Sequence, residues 1–229
     1  MKQNVASAIV LKRTNYGEAD RIIQVLTPNH GKLSLMAKGV RKVNSKLAGS
    51  IELFCIIDIT YLVGRGNIER LISARLKTHF SNIIKDLDRT NTGYDFIRII
   101  NKITEDEVEE DWFNLLLESM QYLNDFSINL NIIRVWFYLN IFKLTGHSPN
   151  LSKDSLGDEF EENNKYDFDF DNMTFINNNS GIYLANHLKI LKIASSFSPS
   201  KMANIRDVEK LTEDLVPLIR TIAKTTLDI

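Results

Sequence analysis

The amino-acid sequence predicts an α+β protein, with a five-stranded barrel first and an all-α domain after it. Two patterns carry this expectation. Short apolar runs broken by Gly, Asn and Pro fill the first eighty residues, and helical spacing of apolar residues takes over afterwards. Charge divides at nearly the same place: residues 1–80 hold thirteen Lys/Arg against five Asp/Glu, and the remainder holds fifteen against twenty-four. A net of +8 is therefore joined to a net of −9, although the whole chain carries only −1. With 229 residues, 44% of them hydrophobic, the chain can bury two small cores. The expected domains are 1–78 and 79–229, the second holding an acidic insertion at 148–182.

The first strand is expected around Ala8, Ile9, Val10 and Leu11, ended by the turn signal Asn15-Tyr16-Gly17. A second covers 22–27 and stops at Pro28-Asn29-His30-Gly31, and a third covers 33–37. A basic loop follows, Lys38-Gly39-Val40-Arg41-Lys42-Val43-Asn44-Ser45-Lys46. The fourth strand, 53–63, alternates Cys55, Ile57, Ile59 and Tyr61 on one face with Phe54, Ile56, Asp58 and Thr60 on the other. Gly64-Arg65-Gly66-Asn67 turns the chain into a fifth strand over 68–73. Five short strands before a helical region suit a closed barrel of the oligonucleotide-binding (OB) type, and an SH3-like barrel would read almost the same.

Helical spacing begins near residue 74, where Leu76, Phe80, Ile83, Ile84 and Leu87 share a face. A second helix is expected over 94–103, separated from the first by Gly93. Thr104 and Glu107 form a capping-box pattern before a face of Trp112, Leu115, Leu116, Met120 and Leu123. The helix over 130–145 is apolar nearly all round, ends at Gly146 and belongs at the centre of a bundle. Two more helices are expected over 183–196 and 205–226, with Pro199 and Ser200 between them.

The insertion carries eight acids and two bases between Ser148 and Gly181. Asp167-Phe168-Asp169-Phe170-Asp171 alternates strictly, so a strand there aligns three carboxylates on one face. It fails the calcium-loop template, because Asn172 and Asn178 stand where the turn Gly and bidentate Glu belong. A solvated edge strand is the expected reading.

Several function classes are excluded by composition. The N-terminus shows no secretory pattern, and the apolar stretch 130–144 is too short for a membrane span and is broken by Arg134, Asn140 and Lys143. Cys55, the single cysteine, has no disulfide partner and sits in an apolar run. A cytoplasmic protein without membrane attachment is expected. His147 beside Ser148 lacks a third catalytic partner, and Gly64-Arg65-Gly66 lacks the Lys-Ser/Thr end of a phosphate loop. No catalytic residue and no cofactor are expected.

Six bases and no acid lie between Asp20 and Glu52. Such a stretch fits a polyanion binder, because each Lys or Arg placed against a phosphate releases condensed counterion. The expected phosphate contacts are Lys32, Lys38, Arg41, Lys42, Lys46 and Arg65, with Arg13 and Arg21 beside them. Tyr16, Phe54 and Tyr61 could stack bases. Phe54 and Tyr61 fall on opposite faces of one strand, so at most one of those two should face solvent.

These residues resemble a known family. The run from Ala8 through Tyr16-Gly17-Glu18-Ala19-Asp20-Arg21, then His30-Gly31-Lys32-Leu33 and Ala37-Lys38-Gly39-Val40-Arg41, is similar to the opening of the recombination-repair mediator family RecO. Tyr61-Leu62-Val63-Gly64-Arg65-Gly66 and Leu144-Thr145-Gly146-His147-Ser148-Pro149 extend the resemblance. It implies a nucleoid-associated protein that binds single- and double-stranded DNA, anneals complementary strands and helps load the RecA recombinase. RecR and the acidic C-terminal tail of the single-strand-binding protein are the implied partners. Many members carry a four-cysteine zinc site after the central helix. Here Asp154, Gly157, Asn177 and Ser180 stand in the equivalent places, which implies a zinc-ribbon-like insertion without its metal, packed by Phe168, Phe170 and Phe175. Two rival readings remain open: an RNA-binding barrel acting in translation, and a metal-dependent nuclease using Asp167, Asp169 and Asp171.

Overall fold

The computed structural model describes residues 2–45, 47–64, 66–104 and 109–229. The backbone forms two compact units, 1–124 and 125–229. The division falls later in the chain than the change from strand to helix, because the first two helices pack with the strands.

Unit one is built on a closed barrel of β1 (Lys2–Tyr16), β2 (Asp20–Thr27), β3 (Gly31–Ala37), β4 (Cys55–Val63) and β5 (Glu69–His79), in the order β1-β2-β3-β5-β4. All pairs are antiparallel except β3 with β5, which meet through Leu35 opposite Glu69 and Met36 opposite Arg70. This is the strand order of the OB-type barrel. Ala8, Val10, Ile23, Leu35, Ile57 and Ile59 fill its interior and are fully buried. The alternation in β4 holds, with Cys55, Ile57, Ile59 and Tyr61 all inward.

Two strands are longer than their apolar runs. β1 has fifteen residues, because Lys2–Ile9 pair with β4 while Ile9–Tyr16 pair with β2. An irregularity between Val10 and Lys12 bends the strand between its two partners. Its polar ends gave no apolar signal. β5 reaches His79, so the helix expected from residue 74 is corrected: Leu76 pairs with Ile57 and His79 with Cys55. Pairing with β4 overrides the local spacing.

The helix begins only at Leu87, and α1 (Leu87–Ile103) runs unbroken through Gly93. The expected break at Gly93 is therefore also corrected. A Cβ at Gly93 would lie 2.6 Å from the Phe54 ring, so the missing side chain is what lets the ring seat against the helix. Phe54 itself holds a φ of 58°, and its carbonyl accepts the Phe80 N–H at 3.0 Å. Asp86 caps α1 by accepting the Arg89 N–H at 2.8 Å. Thr104 closes it, its N–H and hydroxyl both donating to the Ile100 carbonyl. Glu107, the other half of the expected capping box, lies outside the described residues. α2 (Glu110–Asn124) ends where buried Arg89 donates to the Leu123 carbonyl at 2.9 Å.

Unit two centres on α3 (Leu130–Thr145), where nine of sixteen residues are buried, as an all-round apolar helix requires. It packs against α4 (Ala185–Ala194), α5 (Pro199–Met202) and α6 (Val208–Leu227). The insertion forms a three-stranded sheet, β7-β6-β8, from β6 (Lys165–Asp169), β7 (Thr174–Asn177) and β8 (Tyr183–Leu184). Phe175 is the centre of its aromatic cluster, with edge-on rings from Phe168 at 5.1 Å, Tyr183 at 5.8 Å and Phe160 at 6.2 Å. Phe170, expected in that cluster, meets Phe168 edge-on at 5.0 Å and is 41% exposed. Among the described residues no helix is long and apolar enough to cross a membrane.

Gly93→Ala should destabilise the protein. The overlap with Phe54 costs about 1–3 kcal/mol, against a helix-propensity gain of about 1 kcal/mol. Urea unfolding should show a lower midpoint, partly restored by adding Phe54→Leu; a raised midpoint would contradict the packing argument. Trp136→Ala, in buried α3, should cost about 3–5 kcal/mol through the cavity it leaves.

Candidate nucleic-acid interface

The tight β1–β2 turn, 17–19, and the loop after β3 are joined by a specific set of hydrogen bonds. The Asp20 carboxylate accepts the Gly39 N–H at 2.7 Å. The Arg41 N–H donates to the Ala19 carbonyl at 2.9 Å, and its guanidinium donates to the Gly17 carbonyl at 3.1 Å. Gly39 sits at a φ of +66°, which lets the chain reverse there without strain. The result is a short platform at one end of the barrel from which Lys38, Arg41 and Lys42 project into solvent. Among the described residues none of the three has an ion-pair partner. Tyr16, 56% exposed at the end of β1, stands beside the turn. A cationic surface with no ion-pair partner among the described residues and with an adjacent aromatic ring matches the chemistry of a nucleic-acid backbone and base.

The other sequence-predicted residues are placed differently. Lys32 is half-buried, and its ammonium donates to the Thr104 carbonyl at 2.5 Å and the Asn101 carbonyl at 3.1 Å. It sits at the negative end of α1, so its ammonium is already engaged within the protein. Arg13 forms an ion pair with Glu52, so its charge is already matched. Burial is the main cause pushing the nearby Cys55 thiol up to about 11; Glu52 adds to the rise and Arg13 opposes it. That thiol stays protonated and unreactive. Arg21 donates from Nε to Asn15 Oδ1 at 3.0 Å across the strand pair. Lys46 and Arg65 lie outside the described residues. Phe54 and Tyr61 are each 2% exposed, so neither is available to stack a base.

Three bases escaped the sequence reading. Arg70, Arg75 and Lys77 are exposed on β5, with Arg70 beside Met36 on β3. Reading 74 onward as helix placed the last two outside the barrel. The signal that could have found them is the period-two spacing of Arg75 and Lys77.

In the insertion, the three carboxylates do not converge. Asp167 accepts Asn178 Nδ2 at 2.6 Å. Asp169 accepts the N–H groups of Asp171 and Asn172 and the Asn172 side chain, and that side-chain bond is the main cause holding its carboxyl below the usual range. Asp171 is exposed in the turn. No group of three His, Cys, Asp or Glu suited to a metal occurs among the described residues.

The sequence comparisons fit this geometry. The family description Recombination protein O N terminal matches residues 1–80, and Recombination protein O C terminal matches residues 85–228. The chain belongs to the RecO family. The DNA repair protein RecO of Desulfatibacillum aliphaticivorans is 31% identical over 150 residues, which cover 64% of this chain and 58% of that protein. RecO of Roseiflexus sp. is 32% identical over 146 residues, 63% of this chain and 50% of the relative. RecO of Rubrobacter xylanophilus is 28% identical over 143 residues, 62% and 57% respectively. The chain spans little more than half the length of these relatives.

The zinc site of many RecO proteins does not fit the residues found here. Asp154 is 7% exposed, and its Oδ1 already accepts the N–H groups of Leu156 and Asp158, both at 2.9 Å. Gly157 offers no ligand atom, and Asn177 and Ser180 are exposed. The second loop is closed by Asn178, whose Oδ1 accepts the Ser180 N–H at 3.0 Å and whose carbonyl accepts the Gly181 N–H at 2.8 Å. Side-chain and backbone hydrogen bonds close both loops.

Two outcomes test these assignments. Lys32→Ala should lower stability by about 1.5–3 kcal/mol, the range for hydrogen bonds to a charged group, while leaving the salt dependence of any DNA binding nearly unchanged. A stable variant with a smaller salt slope would return Lys32 to the binding face. Metal analysis should find no stoichiometric zinc and chelator should not change the melting temperature, whereas Asp154→Ala should lower it by stranding two amide donors. About one zinc per chain would overturn this account of the insertion.

Proposed function

We propose that the protein is a non-enzymatic DNA-binding mediator of recombinational repair. The observation that carries this reading is the clamped loop at the end of the barrel, where Lys38, Arg41 and Lys42 stand exposed beside Tyr16, with no ion-pair partner among the described residues. Phosphate contacts from such a loop hold single- and double-stranded DNA alike, since they carry no base information. Annealing follows from the same charge: two polyanions approach only where a basic surface lowers their repulsion. The DNA repair function named for the relatives supports a place in repair, with RecA loading onto coated strands as the finer activity. The division of labour is that the barrel, 1–78, holds DNA while the region 79–229 receives partners, in the cytoplasm at the nucleoid.

RecR and the single-strand-binding protein are the partners of this reading. For the acidic tail of the latter, support comes from a groove of about 840 Å³ on unit two. Ile190, Ile193, Ile205 and Leu211 give it an apolar floor, and its rim carries Lys189, Arg206 and Lys210 together with Asp207 and Asp214, with Arg206 3.5 Å from Asp207 and Lys189 3.4 Å from Glu162. A metal-dependent nuclease is disfavoured because Asp167 and Asp169 are engaged in local hydrogen bonds within an acidic segment that repels DNA.

Replacing Lys38, Arg41 and Lys42 together by Ala should weaken binding to DNA of any sequence. On duplex the slope of log K against log salt should become shallower by about 3, at about 0.9 for each phosphate no longer neutralised. Stability should change by no more than about 0.5 kcal/mol per exposed position. Unchanged binding by the triple variant would move the interface elsewhere. Preference for RNA over DNA in direct competition would favour the translation module.

A further inference from the structure

We propose that single-stranded DNA runs along the outer face of β5 and β4, not across the β2–β3 face that OB-type barrels ordinarily offer. The proposal rests on the DNA-binding reading above and names the path. In OB-type barrels the strand-2 and strand-3 face, with the loops at its end, takes the oligonucleotide. Here the β1–β2 side of that face is built over: α1 packs on β1 and α2 on β2, and outward-facing Ile9 and Leu26 are fully buried, while Ile22, Ser34 and Met36 farther along are partly exposed. The same cover is pinned at its edge by Asn101 donating to Gln24 at 3.3 Å and by Lys32 bound to the end of α1. A strand crossing the Leu26 and Lys32 end of that face would have to displace a helix.

The opposite wall is open. Arg70, Arg75 and Lys77 are exposed along β5, and apolar Ile72, 44% exposed, lies between them. The register carries this surface across the sheet in rows: Arg70 beside Leu62, Ser73 beside Thr60, Arg75 beside Asp58. At its far side Val5, opposite Thr60, is 67% exposed. Cations flanking exposed apolar side chains suit a strand whose phosphates face one way and bases the other. Arg70 neighbours Met36 near the end of β3, and the next residues of the chain begin the clamped basic loop. The path therefore starts at Lys38 and leaves along β5. Two acids belong to these strands: Asp58 accepts the Ser7 hydroxyl at 3.2 Å and lies 4.0 Å from Lys77, both groups about half exposed, and Glu69, at the start of β5, accepts the Gly64 N–H at 2.6 Å.

The test is anisotropy of a labelled mixed-sequence single strand over about 50–200 mM salt. Replacing Arg70, Arg75 and Lys77 together by Gln should reduce the slope of log K by about 2, at about 0.7 per single-strand phosphate, with at least a tenfold loss of affinity at low salt. Asp58→Asn should tighten binding several-fold. The Lys143→Gln, Lys153→Gln, Lys224→Gln variant makes the same change in net charge on unit two and should leave the slope unchanged. If the β5 triple variant melts early, Arg75→Gln alone carries the test through a slope change of about 0.7. Wild-type binding with an unaltered slope in the β5 variants would overturn the path while leaving the DNA reading intact. A wild-type protein that binds no single strand would overturn both.

Discussion

The seating of α1 on the barrel is the interaction on which unit one depends. It is made at two ends. Near its N-terminal half the Phe54 ring lies on Gly93, and at its C-terminus the Lys32 ammonium takes up the last carbonyls. The first of these demands a residue without a side chain in mid-helix, a choice that weakens an isolated helix by about 1 kcal/mol. The second draws a positive charge off the surface and sets it against the negative end of the helix dipole. Between them, Ile9 and Leu26 become core although they face out of the barrel. A barrel this small gains a second hydrophobic layer, and one wall is closed to ligand in the same step.

That closure sets what the remaining charge can do. Of the bases that give the N-terminal region its net +8, Lys32 and Arg13 are matched internally. Lys38, Arg41 and Lys42 stand exposed at the end of the barrel, and Arg70, Arg75 and Lys77 on the β5 wall. Asp20 shows why an acid belongs in a basic region: its carboxylate accepts the Gly39 N–H and so fixes the turn from which Lys38, Arg41 and Lys42 project. Ordering those side chains in advance lowers the entropy cost when a phosphate arrives. The acids of the insertion, by contrast, are mostly solvent-facing or used to close their own turns.

The insertion is organised locally. Asp154 and Asn178 each accept backbone N–H groups within a few residues. Local hydrogen bonds can shape a loop, but they hold two loops together only weakly. The joining is done by the aromatic cluster around Phe175 and by the Ser155 N–H donating to the Phe175 carbonyl at 2.9 Å.

The sequence by itself determined the α+β class, the five strands, the inward face of β4 and the central position of α3. Each of these is written in apolar periodicity, which depends on nearest neighbours along one element. It also determined the sign and the location of the charge, since acids are missing outright between Asp20 and Glu52. Only the tertiary structure decided the length of β1 and β5, because polar residues such as Lys2, Gln3, Arg75 and Lys77 become strand through pairing with β4 and through no pattern of their own. It alone decided that Gly93 continues a helix, since the reason is a ring forty residues away in the chain, roughly the separation of Phe54 and Gly93. And it alone separated Lys32 from Lys38. The two look alike in sequence, yet one lies within reach of a helix terminus and the other does not, and the low dielectric around a half-buried carbonyl makes that difference decisive.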